Sequence, residues 1–174
     1  MTTLSSPVIV SELAGLRAEH RRMAAGAMAL RTTADSIGAV PIADLRAAVG
    51  DVLSFLDETL LPHAAAEDEV LYPFVGHLLG SPLATATMHR DHAEVLGLTH
   101  ELSRLHERLC DDGEVVLDDR AANALRRVLY GLFAVITLHL AKEDEIHLPL
   151  LETRATTEQV RGVIAGLAAA TRSR

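Results

Sequence analysis

The chain has 174 residues, of which 49% are hydrophobic but only 3% aromatic, and its formal net charge is −8. This length suits one domain with a sizeable core, and an apolar content built mainly from Ala, Leu and Val favours helices. The acidic balance, with no run of Lys or Arg, argues against nucleic acid and anionic membranes as partners.

Turn signals divide the chain into five predicted helices, and no segment shows the alternation of a strand. The first helix spans residues 11–36 and ends at Gly38, because glycine readily adopts the left-handed conformation that closes a helix. Pro41 then blocks continuation, and the second predicted helix spans residues 42–79.

The later boundaries are marked in the same way. Residues 80–82 read Gly-Ser-Pro, which fits the end of one helix followed by the N-cap and first turn of the next. The third predicted helix therefore spans residues 82–111 and ends at Gly113, and the fourth spans residues 118–151. Residues 156–159 read Thr-Thr-Glu-Gln, a capping box that opens a short fifth helix. The apolar residues of this last helix suit packing either across the other helices or against a partner.

The second and fourth predicted helices each carry one apolar stripe with helical spacing. In the second helix the stripe consists of Leu45, Val49, Val52, Leu56, Thr59, His63, Glu67, Val70 and Phe74. In the fourth helix it consists of Leu125, Val128, Leu132, Val135, His139, Glu143, Ile146 and Leu150. Each helix therefore directs one histidine and one glutamate into the predicted core. Proline cannot donate the helical hydrogen bond, so we expect kinks or frayed ends at Pro62, Pro73 and Pro149.

These polar residues belong to a motif that the chain contains twice. His63 and Glu67 in the first copy correspond to His139 and Glu143 in the second copy, 76 residues later. Both copies read His-x-x-x-Glu-Asp-Glu-(Val/Ile)-x-x-Pro. Side chains four residues apart share one face of a helix. Two facing copies would therefore bring two imidazoles and two carboxylates to one point.

The first and third predicted helices repeat more faintly, 72 residues apart. His20 follows Glu19, His92 follows Asp91, and each histidine lies in an apolar stripe. The chain is therefore interpreted as two helix pairs. Stacking the pairs antiparallel predicts an all-α, up-down-up-down four-helix bundle, followed by the short C-terminal helix.

Six polar side chains on these apolar stripes require an explanation. They are His20, His63, Glu67, His92, His139 and Glu143. Buried without partners, they would cost a large free energy, whereas two cations would remove that cost. A satisfied polar network is the alternative interpretation. We favour the metal site, because imidazole and carboxylate together form a ligand set for transition metals.

The pattern resembles the hemerythrin-like (HHE) cation-binding family over residues 11–151, predicted here as the bundle domain, and residues 152–174 form a helical tail outside it. The resemblance implies a non-heme centre of two iron ions with an oxo or hydroxo bridge, in preference to zinc or manganese, that reacts with O2, H2O2 or NO. The terminal ligands that it implies are His20, His63, His92 and His139. The bridging ligands that it implies are Glu67 and Glu143.

Two departures from the oxygen-carrying members of this family bear on the activity. Carriers have His-x-x-x-His on the third helix, whereas this chain has His89-x-x-His92, so His89 is either a fifth imidazole or a surface residue. The carriers' last carboxylate is an Asp five residues after its histidine, whereas Glu143 follows its histidine by four. We therefore expect peroxide or oxygen chemistry, including catalase-like turnover. The alternatives are a module that binds or senses O2, NO or iron without turnover, and a structural metal protein.

Other polar residues near the motifs carry weaker expectations. His147 lies about 80° from the ligand face of its helix. Four acidic residues beside the bridging glutamates are expected either to be solvated or to contact a ligand residue: Asp68, Glu69, Asp144 and Glu145, of which Glu69 and Glu145 point away. Glu19 and Asp91 are candidates to hold a ligand imidazole by its other N–H group. Tyr72 and Tyr130 are both candidates to reach the metals.

The sequence also bears on the compartment. Cys110 is the only cysteine, so an internal disulfide is excluded and a reducing cytoplasm is expected. The N-terminus lacks the basic-then-apolar pattern of a secretory signal, and no apolar run reaches about 18 residues. We therefore expect a cytoplasmic protein without a membrane-spanning segment.

Overall fold

The structure is a computed structural model that describes residues 7–111 and 117–172, and every regular element in these ranges is helical. The α-helices are α1 (Pro7–Ser36), α2 (Ile42–Phe55), α3 (Leu61–Ala66), α4 (Tyr72–Leu79), α5 (Ala86–Asp111), α6 (Asp119–Lys142), α7 (Leu148–Arg154) and α8 (Thr157–Arg172). Three π-helical turns join α2 to α3, α3 to α4, and α6 to α7: Leu56–Leu60, Glu67–Leu71 and Glu143–His147. A 3₁₀ turn, Pro82–Thr85, leads into α5. The five predicted helices are confirmed, because α2–α4 and α6–α7 are each continuous; the predicted stop at Gly113 lies outside the described residues.

The first helix begins at Pro7, four residues before its predicted start, whereas the predicted turn and capping signals match observed caps. Gly38 and Gly80 have positive φ values of 83° and 68°, the left-handed conformation that favours glycine. Ser81 accepts a hydrogen bond from the Leu83 amide and caps the 3₁₀ turn. In the predicted capping box, residues 156–159, the first and last side chains accept reciprocal hydrogen bonds from each other's backbone amides.

The chain stays helical through all three internal prolines, and a π-turn precedes each one. Pro62, Pro73 and Pro149 each lie two residues beyond the end of such a turn. In the second turn, for example, the Tyr72 amide donates to the carbonyl of Glu67, five residues back. The wider turn accommodates the proline, which lacks an N–H group and crowds the preceding α-turn. The predicted frayed ends are therefore not observed.

The π-turns that begin at Glu67 and Glu143 each shift the buried face by one residue, and the predicted stripes were wrong beyond these two turns. Val70 and Phe74 are only half buried, whereas their neighbours Leu71 and Val75 are fully buried. Thr59, inside the first turn, is exposed. A π-turn contains one residue more than an α-turn, so a count at 3.6 residues per turn falls out of register after it.

The same shift corrects the sequence interpretation of the fourth long helix. Ile146, predicted in the core, is 59% exposed, and Leu150 is half buried. His147, placed off the ligand face by sequence, is only 7% exposed, and Leu148 and Leu151 are fully buried. The turn that begins at the second motif glutamate is the cause in both cases.

The long helices enclose a common core as a helical bundle. Helix α1 packs against α2 and α6, and α5 packs against the same two helices. Helix α8 lies against α1, α3 and the turn Glu67–Leu71, and it buries Val160, Val163, Leu167 and Ala170. Of the two expectations for α8, packing on the bundle is therefore observed.

Within residues 7–111 and 117–172, one continuous helix, Asp119–Arg154, is long and apolar enough to cross a membrane by length and composition alone, a test that core helices of soluble proteins also pass.

Candidate metal centre

The structure brings the six sequence-predicted residues together in two overlapping groups at the core. The first group, called here the first position, consists of His20, His63, Glu67 and Glu143. The second group, called the second position, consists of Glu67, His92 and His139. In each group the candidate ligand atoms all lie within 4.8 Å of one another. Glu67 belongs to both groups, which is the placement expected of a bridging carboxylate.

The first position contains four buried donor atoms without a hydrogen-bond partner: His20 Nε2, His63 Nε2, Glu67 Oε1 and Glu143 Oε2. His20 Nε2 lies 3.6 Å from Glu143 Oε2 and 3.8 Å from Glu67 Oε1. His63 Nε2 lies 2.8 Å from Glu67 Oε1. Buried polar atoms left unsatisfied cost free energy, and a cation among these four would satisfy all of them. The residues present therefore fit a metal ion.

The second position is built differently. The Nε2 atoms of His92 and His139 lie 3.0 Å from each other and 3.6 Å and 3.9 Å from Glu67 Oε2. The Tyr72 hydroxyl oxygen lies 3.4 Å from the His92 nitrogen and 3.1 Å from the His139 nitrogen. Tyr72 also donates a hydrogen bond of 2.7 Å to Glu143 Oε1. The donor atoms of this position are thus already engaged with one another and with the phenol.

The Asp of each His-x-x-x-Glu-Asp-Glu motif contacts an imidazole from the other helix pair. Asp144, in the second copy, lies 2.8 Å from Nδ1 of His20 on α1. Asp68, in the first copy, lies 2.9 Å from Nδ1 of His92 on α5. A carboxylate at Nδ1 fixes the orientation of the ring and directs Nε2 towards the metal. Of the two expectations for these residues, contact with a ligand residue is observed, and the residue contacted is an imidazole that the sequence did not assign to them.

The acidic residues that precede His20 and His92 contact the other two ligand imidazoles. Asp91 Oδ2 lies 3.2 Å from His139 Nδ1, and Lys142 also contacts Asp91. Glu19 Oε2 lies 3.9 Å from His63 Nδ1, a looser contact. All four ligand imidazoles therefore have a carboxylate near Nδ1.

Burial and charge separate the two glutamates. Burial alone would raise the pKa of Glu67, but the attraction of His63 and polar contacts with His139 and His20 hold that pKa well below its ordinary value. Burial and the negative charge of Glu67 raise the pKa of Glu143 well above its ordinary value. The centre thus strongly favours one carboxylate charge and resists the second until a cation is present.

Burial and neighbouring charges also shift the pKa values of two imidazoles and of the phenol. Burial alone would lower the pKa of His20 and of His92, but contacts with Glu67 and with their aspartates raise both values. Burial, followed by the charges of Glu67 and Glu143, raises the pKa of Tyr72 above its ordinary value. Tyr72 is therefore a neutral hydrogen-bond donor at neutral pH.

His89 lies in neither group of candidate ligands in the part of the chain described. Its Nδ1 atom lies 2.6 Å from Asp68 Oδ1, and its side chain is 44% exposed. Tyr130 is also remote from the site, because its hydroxyl donates to Asp35 and the residue is exposed. Of the candidate residues beyond the six, only Tyr72 reaches the centre.

Sequence reasoning missed one buried polar residue beside the centre. The ring of His147 lies 6.1 Å from the ring of Tyr72, and its Nδ1 atom is buried without a partner. Burial, followed by the nearby His139, lowers the pKa of His147. The signal that could have found it is Pro149 two residues later, because each internal proline follows a π-turn that shifts the register.

A cavity of about 20 Å³ adjoins the two positions. Its walls include Glu67, His92 and His139, together with apolar side chains from three long helices: Leu60, Ala64, Val95, Ile136 and Leu140. A space of this size holds about one molecule as small as water. The site can therefore accept a very small ligand beside the donor groups and excludes larger ones.

Comparisons with known proteins bear on this site. The family model described as the hemerythrin HHE cation binding domain matches residues 12–151 of the chain. The match includes every member of both candidate positions. Comparisons with curated proteins and with solved structures found no match.

Proposed function

Because the chain belongs to the hemerythrin HHE cation-binding family, we propose that its six core residues hold a bridged pair of iron ions that reacts with peroxide or O2. The observation that carries this proposal is the convergence of four unpartnered buried donor atoms at the first position, with Glu67 shared by the second position. Within the same proposal, the four long helices run up-down-up-down.

The donor chemistry supports iron. Two imidazoles and carboxylate oxygens at each position suit a divalent or trivalent transition metal, and no thiolate competes, since Cys110 is exposed. Iron in such a site supplies reversible electron transfer and an acceptor for small oxygen-containing ligands. A zinc ion would fit the donors but has no redox chemistry.

The chain's own residues would perform three tasks around the ions. Glu67 would bridge the two positions, and Glu143 would bind the first position through Oε2 while Oε1 accepts from Tyr72. Asp144 and Asp68 would hold their imidazoles in the orientation that directs Nε2 inward. The Tyr72 hydroxyl would hold a proton beside both positions.

The cavity narrows the class of ligand. At about 20 Å³ it holds a molecule of about the size of water and no organic substrate, which favours the smallest ligands, such as O2, NO or H2O2. Its apolar walls exclude bulk water, which strengthens the electrostatic influence of the surrounding groups. Catalase-like turnover of peroxide is the activity that we propose, and reversible binding or sensing of O2 or NO is the second candidate, favoured by the same small apolar cavity.

Oxygen release from peroxide tests the proposal. Iron-loaded protein should evolve O2 from H2O2 without an added reductant, and the rate should scale with bound iron. His89→Ala should retain its iron and most of the rate, because His89 lies outside both positions. His92→Ala should lose iron from the second position together with the rate. An iron-loaded protein that evolves no O2 would exclude turnover and leave the binding or sensing function.

A further inference from the structure

The first position offers a cation four donor atoms that make no other hydrogen bond. They belong to His20, His63, Glu67 and Glu143. Two of these side chains make their hydrogen bonds through other polar atoms: His20 meets its aspartate through Nδ1, and Glu143 accepts from a phenol through Oε1. Within the group, His63 Nε2 lies 2.8 Å from Glu67 Oε1 as an ion pair. A cation that binds here displaces this one contact within the group and no hydrogen bond to a residue outside it, and it relieves the cost of the unsatisfied buried atoms.

At the second position, a cation must replace contacts that the donor nitrogens already make. The Nε2 atoms of His92 and His139 contact each other at 3.0 Å. The Tyr72 hydroxyl oxygen lies 3.4 Å and 3.1 Å from the same two nitrogens. A cation must displace these contacts before both nitrogens can bind it, so part of the binding free energy is lost.

Charge reinforces the difference between the positions. A cation at the first position meets two carboxylates, those of Glu67 and Glu143. A cation at the second position shares Glu67 and meets no other group member with a negative charge. It also experiences repulsion from the ion already bound a few ångströms away.

We propose that the chain binds its two metal ions in order, tightly at the first position and weakly at the second, and that the Tyr72 hydroxyl keeps the second position closed. This proposal rests on the metal pair of the proposed function. Tyr72 suits this role because its hydroxyl is anchored to Glu143 of the first position at 2.7 Å while its oxygen contacts both imidazoles of the second. The protein then has a stable one-metal form, and the second ion converts it to the reactive pair.

A titration with cobalt(II) against a chromophoric chelator tests the order of binding. The wild-type protein should take up two ions in separate steps, the first at least about tenfold tighter, a difference equivalent to one net hydrogen bond. His20→Ala should abolish the tight step. His92→Ala should keep the tight step and lose the weak one.

The variant Tyr72→Phe tests the closing role, since it removes the hydroxyl and retains the ring that packs in the core. The second step should tighten about tenfold, while the first step changes little. Tyr130→Phe is the matched control, because Tyr130 is the other tyrosine and its hydroxyl donates to the remote Asp35. Both of its steps should equal those of the wild type.

Several results would overturn this inference. Equal affinities for the two ions in the wild type would exclude ordered binding, and this test does not depend on any variant folding. A weaker second step in Tyr72→Phe would identify Tyr72 as a ligand, and an unchanged second step would remove its closing role. Uptake of fewer than two cobalt ions by the wild type is a different result, because it contradicts the proposed metal pair itself.

Discussion

The two copies of the His-x-x-x-Glu-Asp-Glu motif place their ligands alike but differ just after the π-turn that each glutamate begins. Leu71 and Tyr72 follow the first copy where His147 and Leu148 follow the second, in the same order. All four are buried, so each copy contributes one apolar and one polar side chain to the core, at exchanged positions. The rings of Tyr72 and His147 lie 6.1 Å apart, and the phenol contacts both imidazoles of the second position and Oε1 of Glu143.

This difference shows how a repeated sequence yields two unequal metal positions. The repeat supplies histidine, glutamate and imidazole-holding aspartate twice, but only Glu67 belongs to both positions. The single phenol, Tyr72, then engages the second position and Glu143, and the first position keeps its donor atoms free of hydrogen bonds. A difference at one pair of residues therefore gives the two positions different hydrogen bonding.

The largest expected difference between the two copies is in metal loss when each motif glutamate is changed separately. Glu67→Gln should lose both metals, because Glu67 belongs to both positions, whereas Glu143→Gln should chiefly weaken the first position. Metal analysis after iron loading measures both. Glu145→Gln is the control, since Glu145 lies two residues beyond Glu143 and is exposed, and it should retain full loading. Equal losses in all three variants would contradict the assignment.

Removal of the metal should lower the melting temperature, because the metal binds only the folded bundle. At a free metal concentration about 100 times Kd, binding contributes about 2.7 kcal/mol. For a chain of this size that corresponds to roughly 5–10 °C. Differential scanning calorimetry of chelator-treated and reloaded protein measures the shift, and superimposed curves would show that the donors do not form a tight site.

The aspartates that contact the imidazoles allow metal binding at the two positions to be weakened separately. Asp144→Asn should weaken the first position and Asp68→Asn the second, each by about 10–100-fold, because each contacts only one ligand histidine. The cobalt titration resolves the two steps. Equal effects of both variants on both steps would mean that the aspartates act through general stability.

The smallest expected effect concerns His147, which occupies in the second copy the position that Leu71 occupies in the first. Its pKa is lowered in the folded protein, so the unfolded chain binds a proton more readily and stability falls as the pH drops below about 6.5. His147→Leu removes the unpartnered Nδ1 at every pH, so the test is the difference between two pH values: the variant should lose less stability than the wild type between about pH 7.5 and about pH 5.5. Urea unfolding at both values measures it, and parallel changes at both would refute the titration.

The ligand residues could be predicted from the sequence because their spacing is short and local. A separation of four between His63 and Glu67 keeps both on one helix face, and the π-turn begins only at the glutamate. Beyond that point the prediction failed, since the turn adds one residue. Val70 therefore left the core, and in the other half His147 entered it.

Which aspartate contacts which imidazole could not be predicted, for a different reason. The contact of Asp144 with His20 joins residues 124 apart in sequence, and the contact of Asp68 with His92 joins two other helices. Such pairs depend on how the helices are rotated against one another, which a helical period does not specify. The role of Tyr72 is similar, because its hydroxyl reaches groups on α5, α6 and the turn after α6.

The iron content of the protein at saturating iron, measured by elemental analysis with the unbound metal subtracted, decides whether the chain holds a metal pair. The six converging ligands and the shared Glu67 predict two iron ions per chain, one for each group of donors. Loading that saturates at one ion, or the absence of bound iron, would contradict the proposed pair.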